Sequence, residues 1–175
     1  MGPFSLTMSN PFVAGAAGTF SGGPGVGGHR GPHWYEAFGM DLDAPVGTEV
    51  RAVFDGVVTD FKSPVSSGKA YGHQVWIRAA NGDLDPNAPG GVGGFYTHLT
   101  TVGIAIGTAV TRGQVLGAIV SFGGIPRHLH LAIAERRDGT NFGVDLYQAF
   151  KDTINSATLI DIEFQQNGNS PSVTF

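Results

Sequence analysis

The chain has 175 residues, of which 14% are charged, and its formal net charge at pH 7 is −4. This length fits one domain with a sizeable core. Basic residues do not cluster, and no apolar run reaches membrane-spanning length, which argues against a nucleic-acid partner and against a membrane span. Because cysteine is absent, a metal site in this chain must use His, Asp or Glu.

Glycine is the unusual component, with 28 residues placed mainly between short alternating runs. Many short strands with tight turns predict an all-β fold, a mostly antiparallel sandwich or barrel. Residues 1–28 are rich in Gly, Ser, Ala and Pro, and we expect an arm or linker there. The compact domain is expected over 29–155, followed by a tail over 156–175. No secretory signal is visible at the N-terminus.

Alternating apolar residues bounded by turn residues predict seven strands. These are Gly39–Asp43, Thr48–Phe54, Gly56–Lys62, His73–Ala80, Gly94–Leu99, Val115–Ser121 and His128–Glu135. The turn-rich segment 81–93 is expected to be a surface loop. Apolar residues four apart predict one C-terminal helix over 145–154, which would pack on the sheet.

The last predicted strand carries a His-x-His pair. Successive side chains of a strand point to opposite faces, so Leu129, Leu131 and Ile133 can share a core face while His128 and His130 share the other. Two imidazoles side by side on a rigid surface suit a metal site with a proton-handling neighbour. A pair of exposed strand histidines is the alternative interpretation.

Three further features accompany this pair. Asp41 lies on a short strand that leads into Ala-Pro-Val-Gly, and Asp55-Gly56 predicts a hairpin turn. A third strand carries Tyr96 and His98, which the alternation places on one face.

In this order the segments resemble the lysostaphin/LytM-type zinc metallopeptidases, which cut peptidoglycan cross-bridges. The resemblance spans about residues 29–135. The matching segments are Gly39-Met40-Asp41, Pro45-Val46-Gly47-Thr48, Val50-Arg51-Ala52, Asp55-Gly56-Val57-Val58, Tyr71-Gly72-His73-Gln74-Val75, Tyr96-Thr97-His98-Leu99, the glycine-punctuated stretch 107–117 and His128-Leu129-His130.

The resemblance implies that Asp41 and His130 are Zn²⁺ ligands and that His98 and His128 are the paired catalytic histidines. Zinc with three protein ligands keeps a position open, activates water and polarises the scissile carbonyl. An imidazole nearby can take the proton of the water or donate to the leaving amine. Which of the two histidines is the base stays open.

The first family ligand is missing from its usual place. The family has a histidine four residues before the aspartate, where this chain has Ala37. In an undistorted strand His33 would lie about 26 Å from Asp41, at about 3.3 Å per residue. Ligation by His33 therefore requires residues 34–38 to loop out, and we expect that arrangement. Ligation by His29 and loss of the first ligand are the alternatives.

Two residues are candidates for substrate contact. The resemblance implies that Tyr96 borders the cleft. His73 occupies a strand position where the family often has Asn, so it is expected to line the cleft, with a hydrogen-bonded surface histidine as the alternative.

The resemblance therefore implies a zinc-dependent endopeptidase that hydrolyses peptide cross-links of peptidoglycan at an extracytoplasmic location. Glycyl bridges and D-alanyl cross-links are both used by the family, and the sequence does not separate them. The alternative is a degenerate, non-catalytic module that binds cell wall or activates a partner hydrolase, and Ala37 favours it. Retention of four other site residues argues against it. The oligomeric state and the export route stay open.

Overall fold

A computed structural model describes residues 3–64, 71–79, 90–121 and 126–175. These residues form thirteen strands and two short helices, with every strand pair antiparallel. The all-β, mostly antiparallel prediction is confirmed. Neither helix of the described part is long and apolar enough to span a membrane.

Two helices lie among the strands of the described residues. In chain order the elements are β1 Phe4–Met8, β2 Thr19–Gly22, α1 Trp34–Ala37, β3 Met40–Asp43, β4 Glu49–Arg51, β5 Gly56–Lys62, β6 His73–Ala79, β7 Gly91–Thr101, β8 Ala109–Val110, β9 Val115–Ile119, β10 His128–Arg137, β11 Thr140–Val144, α2 Tyr147–Thr153, β12 Ile160–Phe164 and β13 Ser172–Thr174.

The predicted strands all occur, and their ends differ by a few residues. The structure extends the predicted strand Gly94–Leu99 to β7, which runs from Gly91 to Thr101. Part of the expected 81–93 loop is therefore strand, and residues 81–89 of it lie outside the described residues. The predicted helix over 145–154 corresponds to α2.

Strand β10 is the centre of the larger sheet, because it pairs with β3, β7 and β11. Leu129, Leu131 and Ile133 are fully buried on one face of this strand. His128 and His130 alternate with them and lie on the opposite face, which we call the cleft face of the sheet. The strand that carries His98, β7, is the direct neighbour of β10, as expected.

The two ends of the chain form a second, three-stranded sheet of order β1-β12-β13. Residues 1–28, for which the sequence predicts an arm or linker, contribute β1 to this sheet and β2 to the edge of the larger one. Met8 and Phe12 lie in the same hydrophobic core as the β10 residues. Burial of these apolar side chains is the physical reason why the segment packs on the domain.

Candidate metal centre

Neighbouring strands bring a carboxylate and imidazoles together on the cleft face. In the register of β10, His130 lies opposite Asp41 of β3 on one side and opposite Thr97 of β7 on the other. The Oδ1 atom of Asp41 is 3.1 Å from Nδ1 of His130 and 3.1 Å from Nε2 of His29. The same oxygen is 3.4 Å from Nε2 of His128.

The opposite ring nitrogens of two histidines face main-chain carbonyls. Nδ1 of His29 is 2.9 Å from the oxygen of Gly23, and Nε2 of His130 is 2.7 Å from the oxygen of Tyr35. A carbonyl oxygen only accepts, so these two nitrogens carry the hydrogens. In the neutral rings the remaining lone pairs then point at the carboxylate of Asp41. Nitrogen atoms and a carboxylate that converge in this way suit a bound cation, and in its absence the inward nitrogens, when protonated, donate hydrogen bonds to Asp41.

The donor atoms of His29, Asp41 and His130 all lie within 4.8 Å of one another. Zinc binds histidine nitrogen and carboxylate oxygen at about 2.0–2.2 Å in tetrahedral geometry, which places neighbouring donors about 3.3 Å apart. The 3.1 Å separations from Asp41 to both imidazoles are close to that value. Three such ligands with one position left open are typical of catalytic zinc sites, so the donor set fits Zn²⁺.

The charges of the group are coupled. Burial alone would raise the pKa of Asp41, but hydrogen bonds from His130 and His29, together with the charges of His128 and His130, hold this pKa below its ordinary value. The hydrogen bond to Asp41 raises the pKa of His29, although burial acts in the opposite direction. Asp41 is thus a carboxylate at neutral pH, the form that a metal binds.

The structure brings His29, and not the expected His33, to Asp41. His33 is exposed at the N-terminal end of α1, and its ring stacks on Tyr35 with the ring centroids 5.2 Å apart. The strand that delivers His29 is β2, because Gly22 pairs with Asp41 across the β2–β3 ladder. The glycine-rich run after β2, whose composition suggests a linker, is the signal that could have indicated this turn.

Small residues make room for the imidazoles. A Cβ atom at Gly39 would overlap the ring of His130 and lie 2.8 Å from Cδ2 of His29. A Cβ atom at Gly22 would lie 3.4 Å from both Oδ2 of Asp41 and Cε1 of His29. The close approach of the two rings therefore depends on glycine at position 39, whereas a Cβ atom at position 22 would make an ordinary contact.

His98 is the extra residue of a β-bulge in β7. Gln74 of β6 pairs with Thr97, and the preceding His73 pairs with Leu99, so His98 is inserted between two consecutive pairs of the β6–β7 ladder. Its φ of 69° lies in the left-handed region. Bulges of this kind change the direction of a side chain and occur often beside active sites.

The bulge brings His98 to the metal centre. The centroid of its ring lies 4.5 Å from that of His128 and 6.1 Å from that of His130. Nδ1 of His98 is 2.9 Å from the main-chain oxygen of Tyr71 and therefore carries the hydrogen. Burial lowers the pKa of His98 to about 4, so the ring is neutral at neutral pH.

Tyr96 does not border the cleft, contrary to the expectation. It lies opposite Leu131 in the ladder and is fully buried, and its Oη accepts a hydrogen bond of 3.0 Å from the N–H of Val53. The bulge at His98 is the reason, because the extra residue breaks the alternation that places Tyr96 and His98 on one face. Tyr96 is a core residue that ties two parts of the fold together.

His73 is not brought to the metal centre either. It shares its face of β6 with Val75 and Ile77, which are buried in the core. Its Nδ1 accepts a hydrogen bond of 3.0 Å from the N–H of Thr101, and its ring packs 5.2 Å from that of Phe61. These contacts agree with the alternative interpretation in that His73 is hydrogen-bonded, but the residue is half-buried and not on the open surface.

The sequence matches a known family. A family model described as peptidase family M23 matches residues 35–142, which include Asp41, His98, His128 and His130 but not His29. The DD-carboxypeptidase/endopeptidase Mpg of Neisseria meningitidis is 40% identical over 98 residues, which cover 55% of this chain and 20% of that protein. The chain thus spans about one fifth of the length of the curated relatives it matches.

Solved structures agree in fold. The catalytic domain of the antimicrobial peptidase lysostaphin from Staphylococcus simulans has a TM-score of 0.50 at 21% identity, over 73% of this chain and 88% of that one. A zinc-containing peptidase from Vibrio cholerae has a TM-score of 0.52 at 20% identity, over 78% of this chain and 39% of that one. The resemblance seen in the sequence is confirmed, and the chain belongs to peptidase family M23, with the lysostaphin/LytM-type fold.

Proposed function

We propose that this chain is a zinc-dependent endopeptidase that hydrolyses peptide cross-links of bacterial peptidoglycan outside the cytoplasm. The observation that carries the proposal is the convergence of donor atoms from His29, Asp41 and His130. Membership of family M23 supports it, as does the name of the Neisseria relative, a DD-carboxypeptidase/endopeptidase.

His29, Asp41 and His130 are the residues that would hold the ion. Zinc bound by them would activate a water molecule and polarise the carbonyl of the scissile bond. The carbonyls of Gly23 and Tyr35 accept hydrogen bonds from the outer ring nitrogens of His29 and His130. These bonds fix which ring nitrogen of each histidine faces the ion.

His98 is the better candidate for the general base. Burial keeps its ring neutral at neutral pH, and its Nδ1–H is directed at the carbonyl of Tyr71. Nε2 is then the basic nitrogen, which can accept a proton from the attacking water.

His128 is the better candidate for a donor. Its Nδ1 is 2.7 Å from the carbonyl oxygen of Pro126, and its Nε2 is 3.4 Å from Oδ1 of Asp41. Both ring nitrogens of His128 therefore lie near oxygen acceptors. An N–H of His128 can then stabilise the developing oxyanion or protonate the leaving amine.

The test is release of peptide fragments from purified sacculi and from muropeptides with glycyl and with D-alanyl cross-links. We expect His98→Ala and His128→Ala to keep their zinc and to lose turnover by about 10²-fold or more, the range of general acid–base catalysis. His33→Ala, which removes an exposed histidine outside the centre, is the matched control. Chelation should abolish the activity, and added zinc should restore it.

The alternative function, a non-catalytic wall-binding module, is favoured by Ala37 at the usual position of the first ligand. The position of His29 beside Asp41 weakens that argument, because a third donor is present. A zinc-loaded preparation that cleaves none of the substrates but sediments with sacculi would replace the enzyme proposal with this alternative.

A further inference from the structure

The cleft face of the sheet continues well beyond the metal centre. Along β10 the alternation places Arg136 on the same face as His130, six residues further on. At about 3.3 Å per residue, the two Cα atoms lie roughly 20 Å apart. A second feature at the Arg136 end of this face is therefore separate from the metal centre.

That second feature is a cavity of about 200 Å³. Its lining includes Arg136 and Asn141, which are direct partners in the β10–β11 register, together with the indole rings of Trp34 and Trp76. Gly93 of β7 also lines it and contributes no side chain. The cavity thus combines a guanidinium, an amide and two apolar ring surfaces.

The charge at this cavity is positive. No carboxylate is among the described residues that line it, and no ion pair of Arg136 is found in the described part of the chain. The Nε atom of Arg136 is buried without a hydrogen-bond partner there. Arg78 also lines the cavity, and burial followed by the charge of Arg136 lowers the pKa of Arg78 to about 10. The guanidinium of Arg136 is thus suited to bind an anion that enters the cavity.

Asn141 narrows the chemistry of that anion. Its Oδ1 is buried without a hydrogen-bond partner among the described residues, and an N–H donor would satisfy it. A carboxylate for the guanidinium, an N–H for Asn141 and an apolar group for the indoles occur together in an N-acylated amino acid. A phosphate group offers no N–H and would leave Asn141 unsatisfied.

We propose that Arg136, Asn141, Trp34 and Trp76 form a binding site for the free carboxylate end of a peptide. The fork of an arginine matches the two oxygens of a carboxylate, and the planar indoles pack against the side chain of the last residue. That this peptide belongs to peptidoglycan rests on the proposed function, whereas the binding site itself does not.

Intrinsic tryptophan fluorescence can report binding at this site. It contains two tryptophans, Trp34 and Trp76, and both line the cavity. The full chain is titrated with N-acetyl-D-alanine and, separately, with N-acetyl-D-alaninamide while tryptophan fluorescence is recorded. We expect a saturable change with the acid and about tenfold weaker binding of the amide, which lacks the charge-assisted hydrogen bonds.

Arg136→Gln should weaken binding of the acid by about tenfold. Arg137→Gln, the same change one residue further along β10 and on the opposite face, should leave it unaltered. Equal binding of acid and amide by the wild type, which needs no variant, would overturn the proposal. So would an unchanged affinity in folded Arg136→Gln, or tighter binding of inorganic phosphate than of the acid.

The titration requires no hydrolysis, so its outcome is separate from the peptidase assay. If the chain binds the acid but cleaves no wall peptide, the carboxylate site at Arg136 is supported and the proposed peptidase function is contradicted. If the chain cleaves sacculi but does not bind the acid, the peptidase function is supported and the carboxylate site is contradicted.

Discussion

At the scale of single residues, the histidines around Asp41 share one arrangement. Each has one ring nitrogen within hydrogen-bonding distance of a main-chain carbonyl, which fixes its tautomer and turns the other nitrogen towards the centre. The pairs are His29 with Gly23, His98 with Tyr71, His128 with Pro126 and His130 with Tyr35. These main-chain carbonyls therefore set the orientation and the tautomer of the histidine rings.

The first prediction separates two candidate ligands. We expect His29→Ala to lose most of its bound zinc, because His29 supplies one of three converging donors. His33→Ala should keep its zinc, since His33 is exposed and stacked on Tyr35. Elemental analysis of both purified variants after dialysis against a weak chelator measures this. If His29→Ala keeps its zinc and His33→Ala loses it, His33 is the third ligand, as expected from the sequence.

The second prediction concerns pH and the buried ring of His98. In the unfolded chain this histidine takes up a proton near pH 6.5, whereas the folded protein resists until about pH 4. The unfolded state thus binds more protons between these values, and the free energy of unfolding must fall as the pH drops through this window. Above pH 6.5 the contribution is fully present.

Thermal unfolding of metal-free protein between pH 4 and 6.5 tests this, with His98→Gln as the comparison. The variant should lose less stability across the window, because a glutamine does not titrate. His29, whose pKa shifts in the opposite direction, is present in both proteins and cancels from the difference. Parallel stability curves for the two proteins would contradict the assignment.

The sequence shows where a site residue lies when spacing within one strand decides it. Asp41 and the pair His128 and His130 follow from strand alternation and the order of motifs. His29 does not, because its place depends on how β2 pairs with β3 and on the turn that follows. The predicted position of Tyr96 at the cleft is wrong for a related reason. The extra residue of the bulge reverses which side chains lie on each face of β7, and the alternation of the sequence does not indicate a bulge.

At the scale of elements, the short helix α1 holds one side of the metal centre although it contributes no ligand. The carbonyl of Tyr35 within it contacts Nε2 of His130. The residue after the helix, Phe38, lies so close to Gly143 of β11 that a Cβ atom there would overlap its ring. The close packing of Phe38, and with it α1, against β11 thus depends on the absence of a side chain at Gly143.

The third prediction follows from this contact. Gly143→Ala should push Phe38 and α1 away from β11, so that the carbonyl of Tyr35 no longer fixes the tautomer and orientation of His130. We expect zinc affinity to fall by about tenfold or more, the usual effect of losing an outer contact to a metal ligand. Thr140→Ala, an exposed change on the same strand, is the control. Competition with a fluorescent zinc chelator gives the affinities, and equal values for Gly143→Ala and wild type would show that α1 has no such role.

At the scale of the whole molecule, the two ends of the chain meet and close the fold. Residues that precede the family match, in β1, pair with residues that follow it, in β12. Composition hides this pairing, because the glycine-rich run after β1 suggests a linker, although β1 itself alternates apolar Phe4, Leu6 and Met8 with polar residues. Alternation in β1 and β12 indicates two strands, but it does not indicate that residues more than 150 positions apart pair with each other.

The final prediction tests whether the N-terminal segment is part of the domain. Met8 is fully buried in the common core, and Met8→Ala should lower the free energy of unfolding by about 2–5 kcal/mol through lost burial and the cavity left behind. Val13→Ala in the same segment is the control, because Val13 is 46% exposed and should cost well under 1 kcal/mol. Urea unfolding followed by tryptophan fluorescence measures both. An arm without packing would make the two variants alike, whereas a segment that completes the core makes only Met8→Ala unstable, with the zinc content of the folded protein preserved.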